Sequence, residues 1–300
     1  MSAPDDAPIV TPRAIQDAIA EGQCAYFEQI SGIDRHQQVA DLLSEAKAHQ
    51  HAAILQRYAQ LKGARILEVG SGLSMILIVW SKRYGADVTG VEPDAEGFHA
   101  SYKLGRSLAA ANGLDPERIL NAVGERLPFA DDSFDIIYSS NVLEHTDEPA
   151  QVLAESMRVL APGGVMQFVF PNYRSYYDGH YGVFHPPLYW KGFFPWYVRW
   201  VWRRDPAFAH TLRTELNVGW VKATLRELAR TQRFEVLGLG DDVFRERMES
   251  LDFGGWATLG RLKRVLMLLR NRHVRRGIAN LIVGLRGWTP IVLTLRKSAS

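Results

Sequence analysis

The sequence predicts an α/β fold built on a mostly parallel sheet, and three observations predict it. Residues 66–74 read I-L-E-V-G-S-G-L-S, an apolar run that ends in a carboxylate and enters a glycine turn. Residues 88–94 read V-T-G-V-E-P-D, a second short run tipped by Glu92, twenty residues after Gly72. Strand-length and helix-length stretches then alternate as far as Phe170. Strand, tight glycine turn, helix and an acid-tipped second strand make half of a nucleotide-binding domain. Glycine lets backbone approach a ligand closely, and the acid can grip both hydroxyls of a ribose. Alternation at this spacing calls for parallel strands joined by right-handed crossovers.

Taken in order, Thr11 is a good N-cap with Pro12 at the first helical position, predicting a short helix over 12–20. A longer helix is predicted over 35–60 from the stripe Val39, Leu42, Leu43, Ala46, Ala53 and Leu55. Strands follow at 65–69, 87–92, 119–122, 134–139 and 165–170, with helices at 73–84, 96–112 and 148–160. Ala161-Pro162-Gly163-Gly164 stops the last helix. A sixth strand is predicted at 234–238, after an insertion of some sixty residues that is far longer than a simple crossover. The alternating stretch 289–297 completes a seven-stranded sheet as its last, antiparallel strand. Residues 1–61 therefore read as N-terminal helices and 62–300 as the main domain, with cap insertions at about 172–218 and 245–288.

The chain has 300 residues, 47% hydrophobic and 23% charged, an ordinary globular composition that can bury a full core. Cys24 is the only cysteine, so an internal disulfide and a cysteine metal cluster are both excluded. The opening M-S-A-P-D-D-A-P lacks the basic and apolar regions of a secretory signal, and the apolar run 73–80 is too short to span a bilayer. The expected location is cytoplasmic. From Phe253 to Ser300 there are ten Lys or Arg and no Asp or Glu; removing those ten from a net +2 leaves −8 on residues 1–252. A basic tail on an acidic body suggests contact with phospholipid head groups or a phosphate-bearing substrate, hence peripheral attachment at the inner face of a membrane. Solvated faces of ordinary helices are the competing explanation.

Residues 125–145 read E-R-L-P-F-A-D-D-S-F-D-I-I-Y-S-S-N-V-L-E-H, and 159–173 read V-L-A-P-G-G-V-M-Q-F-V-F-P-N-Y. With E-V-G-S-G-L-S and V-E-P-D, this order of motifs resembles the class I S-adenosylmethionine-dependent methyltransferases, in the group carrying L-P-F…F-D…L-E-H…L-x-P-G-G. The resemblance covers 62–173 and weakly 223–243. It implies a Rossmann-like class I methyltransferase fold with S-adenosyl-L-methionine as cofactor. Gly70 and Gly72, with Ser71 between them, would lie against the cofactor's methionine portion, and Glu68 would meet its amino group. Glu92 would accept hydrogen bonds from the ribose hydroxyls, with Pro93 beside the adenine and Leu127 on the other adenine face. Asn141 lies where the methionine end and the acceptor meet. Two positions depart from the pattern. Ser74 replaces the third glycine of the turn, and Val123 stands where many relatives have the aspartate that holds the adenine amino group.

The acceptor side is more individual. The first insertion holds P-N-Y-R-S-Y-Y-D-G-H-Y-G-V-F-H-P-P, and four of the eight tryptophans lie between Trp190 and Trp202 among basic residues. Such a segment suits a membrane interface, a lid that stacks on a flat or sugar substrate, or an aromatic core. Asp178, His180, Tyr181 and His185 follow the fifth strand and His145 closes the fourth, at the rim where such sheets bind ligands. The candidate proton acceptors are His180, then His145, then His185; a structural hydrogen bond is the competing role for each. In the second insertion, Leu259, Leu262, Val265, Leu266 and Leu269 form an apolar stripe among basic residues, as a membrane-surface helix or a lid helix would. No Cys/His metal spacing is present, so no metal is expected. Nothing resembles the Asn/Asp-Pro-Pro-aromatic signature of amino methylation on nucleic acid, and no nucleic-acid partner is expected. The expected activity is O-methylation of a small-molecule, glycan or lipid-linked acceptor. The alternatives are a dinucleotide-dependent oxidoreductase and a catalytically silent lipid-binding relative.

Overall fold

The computed structural model describes residues 7–95, 100–186, 192–251 and 271–299. Its main sheet contains β1 (Arg65–Val69), β2 (Asp87–Val91), β3 (Ile119–Leu120), β4 (Phe134–Ser140), β5 (Leu160–Phe170), β8 (Phe234–Gly238) and β9 (Ile291–Lys297). A separate hairpin pairs β6 (Tyr177–Asp178) with β7 (Val183–Phe184). The sheet order is β3-β2-β1-β4-β5-β9-β8. Neighbours among β1 to β5 run parallel, and β9 lies antiparallel between β5 and β8. This is the seven-stranded sheet expected from the sequence.

The central strands read as apolar runs because both of their faces are covered. Leu67, Ile137, Met166, Phe168 and Leu293 enter one apolar cluster, together with Val152, Leu153 and Met157 of α7 (Pro149–Val159). Ile66, Ile136, Tyr138, Val165 and Val292 enter the other, against α5 (Met75–Tyr84) and α6 (Ser101–Ala111). The N-terminal helices join this second layer: Ala48 and Ala52 are in it, and Trp80 Nε1 donates to Ala48 O at 3.0 Å.

Several boundaries differ from the sequence reading, each for a local reason. Pro12 is the N-cap and not the first helical residue, and α1 (Arg13–Ile19) does not stop near Ala20. It continues through a π turn at Ala20–Cys24 into α2 (Ala25–Ser31), which ends where Gly32 turns left-handed at φ 71°. The single helix expected over 35–60 is two, α3 (Arg35–Leu42) and α4 (Glu45–Leu55), because Ser44 caps the second by accepting from the Ala46 N–H. The apolar stripe runs across this break, so periodicity alone did not reveal it. Helix α5 starts at Met75 because Ser74 is left-handed, and β3 is two residues long. Residues 96–99 lie outside the described residues.

The first insertion carries the hairpin, α8 (Phe193–Trp200) and α9 (Ala207–Thr211); α10 (Val218–Leu228) then leads into β8. Helix α8 is two-sided: Phe193, Phe194 and Val198 are buried, while Trp196 and Trp200 are 52% and 67% exposed. Trp190 and Lys191 lie outside the described residues, as does the amphipathic stretch 259–269. Of the second insertion, α11 (Asp241–Ser250) and α12 (Arg272–Gly284) are described. Arg275 is buried and donates to Met248 O and Glu249 O at 3.2 and 2.7 Å, so this basic residue closes the end of α11 and does not face solvent. No helix among the described residues is long and apolar enough to cross a membrane.

Candidate active site

The turn after β1 is built from left-handed backbone. Gly70 (φ 73°), Gly72 (φ 50°) and Ser74 (φ 59°) reverse the chain into α5, with the Gly70 and Ser71 N–H groups donating to Val91 O at 2.9 and 3.0 Å. A Cβ on Gly70 would fall 2.3 Å from Val142 Cγ2, so only glycine lets this turn pass beneath the end of β4. A Cβ on Gly72 would meet no atom within 4 Å, because that position borders open space. At the end of β2, Glu92 Oε2 accepts from the Gly72 N–H at 2.9 Å. The acid and the glycine turn are thus fixed to each other.

These residues line a cavity of about 1380 Å³, together with Glu68, Pro93 and Asn141. Glu68 is buried and its Oε2 has no hydrogen-bond partner. Burial, then the Glu92 charge, pushes the Glu68 carboxyl well above its usual range, with Lys47 opposing. Burial likewise raises Glu92 to about 7 against the Gly72 N–H. Lys47 also borders the cavity, and loss of water pulls its ammonium down against the charges of Glu68, Glu144 and Asp41. Asn141 ends β4 in left-handed backbone at φ 56°, a conformation concentrated at functional sites in residues other than glycine.

Leu127 and His185 do not border this cavity. Leu127 is buried in the core and its N–H donates to Glu155 Oε2 at 3.0 Å; Ala122, Val123 and Gly124 line the wall in its place. Glu125 is nearby but accepts from the Asp147 and Glu148 N–H groups at the start of α7. His185 is buried, with Nδ1 at 3.1 Å from Pro186 O and its N–H donating to Tyr176 O.

His145 and His180 do meet at the cavity, with ring centroids 5.3 Å apart and planes near perpendicular. His180 Nδ1 lies 3.4 Å from Asp178 Oδ2, and its Nε2 lies 3.9 Å from Glu144 Oε1. Burial works against a charged His180, but the hydrogen bond and charge of Asp178 and the charge of Glu144 outweigh it, so His180 is held above its usual range. Burial and the neighbouring His180 depress His145 to about 3, leaving it neutral. Burial raises Glu144 to about 7 despite His180. Phe208 touches both imidazoles and packs edge-on against Tyr26 and Phe27, so this end of the cavity is aromatic.

Arg213, from the first insertion, holds the loop that carries Glu144 and His145. Its N–H donates to Glu144 O, its Nε to Thr146 O at 2.7 Å and its Nη2 to Asp147 Oδ1 at 2.9 Å. Lys47 and the Tyr26–Phe27 pair escaped the sequence reading because nothing marks a cavity-facing side of those helices. Glu144 was in view inside L-E-H but had no visible partner.

The arrangement suits the cofactor that the sequence resemblance implies. Glu68 offers an orphaned carboxylate oxygen to an ammonium, Glu92 offers a carboxylate to paired hydroxyls, and the space at Gly72 admits a chain against the backbone. Residues 67–168 match the family described as a methyltransferase domain. A protein of Mycobacterium marinum named as an uncharacterized methyltransferase is 36% identical over 124 residues, which is 41% of this chain and 46% of that one. Its counterpart in Mycobacterium avium is 38% identical over 118 residues, 39% of this chain and 44% of its own. The chain thus spans just under half the length of these curated relatives. Among solved structures, an S-adenosylmethionine-dependent methyltransferase from Mesorhizobium loti aligns over 82% of this chain and 96% of its own, with TM-score 0.45 and 16% identity.

Proposed function

We propose that this chain, which carries a class I S-adenosylmethionine-dependent methyltransferase domain, methylates an oxygen of a small-molecule, glycan or lipid-linked acceptor. One observation carries the reading. A single cavity is bordered both by the Gly70–Gly72 turn with Glu68 and Glu92 and by the His145–His180 pair. Its 1380 Å³ exceeds the roughly 300–1,000 Å³ typical of a site for one drug-sized ligand, which favours two molecules side by side.

When bound, the sulfonium supplies an electrophilic methyl group for in-line displacement, so the chain's own task is to bind, orient and dehydrate. Glu68 and Glu92 hold the ammonium and the ribose hydroxyls. The Gly70–Gly72 backbone fixes the depth of the turn, and Pro93 with Val123 and Gly124 would flank the base by packing. At the other end, Tyr26, Phe27 and Phe208 keep water from the acceptor and favour a flat or apolar body. Asp178 binds Nδ1 of His180 and leaves the Nε2 lone pair as the proton acceptor, the orientation expected of a general base. The dinucleotide alternative has no support from the family match.

The test is to incubate the protein with cofactor labelled at the methyl group and with lipid and glycan extracts, and to identify labelled products by mass spectrometry. An O-methylated product is expected, and His180→Ala should lower turnover by about a hundredfold while S-adenosylhomocysteine affinity holds. Calorimetry showing tight dinucleotide binding and none for the sulfonium would sink the proposal.

A further inference from the structure

We propose that Glu144, His145 and His180 form a binding site for one divalent transition-metal ion, with an open coordination position toward the cavity. One ligand atom from each of the three residues lies within 4.8 Å of the others. Glu144 is fully buried, yet neither carboxylate oxygen has a hydrogen-bond partner. A buried carboxylate with no hydrogen bond, approached only by His180 Nε2 at 3.9 Å, is costly, and a cation resolves the cost directly. The two imidazoles border the cavity beside it. Two imidazoles and one carboxylate suit Zn²⁺, Fe²⁺ or Co²⁺, and three protein ligands are the number that leaves a position for water or substrate.

The surroundings match a metal site as well. Asp178 is buried, its Oδ1 accepts from the Tyr181 N–H at 2.8 Å, and its Oδ2 lies 3.4 Å from His180 Nδ1. A carboxylate on one ring nitrogen fixes the other as the ligand, the usual outer support of a metal-bound histidine. The loop bearing Glu144 and His145 is tied down by Arg213. Bonds of about 2.0–2.1 Å in a tetrahedron set ligand atoms about 3.4 Å apart, so no separation has to close by more than about 1.4 Å, a shift of the size side-chain rotation supplies. Metal on His180 Nε2 and proton acceptance there exclude each other, so a metal-loaded chain would act on the acceptor's oxygen at the open position in place of the base; that use rests on the methyl-transfer reading, and the site itself does not.

The experiment uses the full chain without a histidine tag, stripped with chelator and dialysed against Zn²⁺, Co²⁺ or Mg²⁺. Bound metal is measured by mass spectrometry, and the visible absorption of Co²⁺ reports its ligands. One Zn²⁺ or Co²⁺ per chain is expected, with Co²⁺ bands of a four- or five-coordinate site and little Mg²⁺. Asp178→Asn should weaken binding by about 10–100-fold, and Glu144→Gln or His180→Gln by more. Calorimetry with S-adenosylhomocysteine on the same samples reports folding and the cofactor end separately, so loss of metal with retained nucleoside binding distinguishes this site from the proposed activity. A wild-type chain that takes up no metal, or Glu144→Gln and His180→Gln variants that keep it, would overturn the proposal. In that case the cluster is a proton held between Glu144 and His180.

Discussion

Replacing Glu92 by Gln should make the unliganded protein more stable and a poorer binder. Burial moves the Glu92 carboxyl from 4.5 to about 7. Between those values the folded chain keeps a proton that the unfolded chain has released, so stability falls as pH rises through this window and levels off above it. At 1.36 kcal/mol per pH unit, the loss amounts to about 3 kcal/mol at pH 8. Glutamine has the same size and its oxygen still accepts from the Gly72 N–H, but it cannot ionise. The raised Glu68 carboxyl is relieved in the same direction, because the Glu92 charge is one of the causes that raise it. Denaturant unfolding from pH 4.5 to 8 should therefore show the two proteins converging near the acid end and separating by up to about 3 kcal/mol at pH 8. The same change removes a charge-assisted contact worth about 1.5–3 kcal/mol, which weakens S-adenosylhomocysteine by about tenfold to a hundredfold in calorimetry. Equal stability at pH 8, or a gap that does not change with pH, would refute the linkage argument. Unchanged affinity would remove Glu92 from the ligand.

Two further outcomes follow. Gly70→Ala should lose about 2–4 kcal/mol of stability, since a left-handed alanine is strained and its Cβ would strike Val142. Gly72→Ala should lose only about 1–2 kcal/mol while weakening nucleoside binding more; the reverse order in paired denaturation and calorimetry would refute the assignment of the open space. If the exposed Trp196 and Trp200 meet an anionic membrane together with the basic tail, the protein should sediment with anionic vesicles at low salt and be released at high salt. Trp196→Ala with Trp200→Ala should reduce that binding, whereas a protein that stays in solution with anionic and neutral vesicles alike points to a water-soluble acceptor.

Much of the sheet was legible because its signals are local. Apolar runs, the glycine turn and A-P-G-G each act within a few residues, and β1 matches its expected span. What the sequence concealed depends on distant contacts. The break at Ser44 interrupts a helix without interrupting its apolar stripe. Leu127 satisfies a motif yet is buried behind the wall that Val123 and Gly124 form. Glu144 and His180 lie thirty-six positions apart with no spacing rule between them, and they meet because the turn of the β6–β7 hairpin brings His180 to the loop that follows β4. Chain position ranked His185 last of the three histidines without showing that it lies off the wall of the cavity that His145 and His180 border.

The three bonds from Arg213 make the cap and the chemical loop one mechanical part. A segment that selects the acceptor usually can vary while the reacting groups stay still, but here the backbone of Glu144 and Thr146 is held from the cap side. Any redesign that exchanges residues 172–218 to accept a new substrate has to bring its own fastening for this loop. Without one, new specificity would arrive with the imidazoles displaced, and selectivity and rate would fall together.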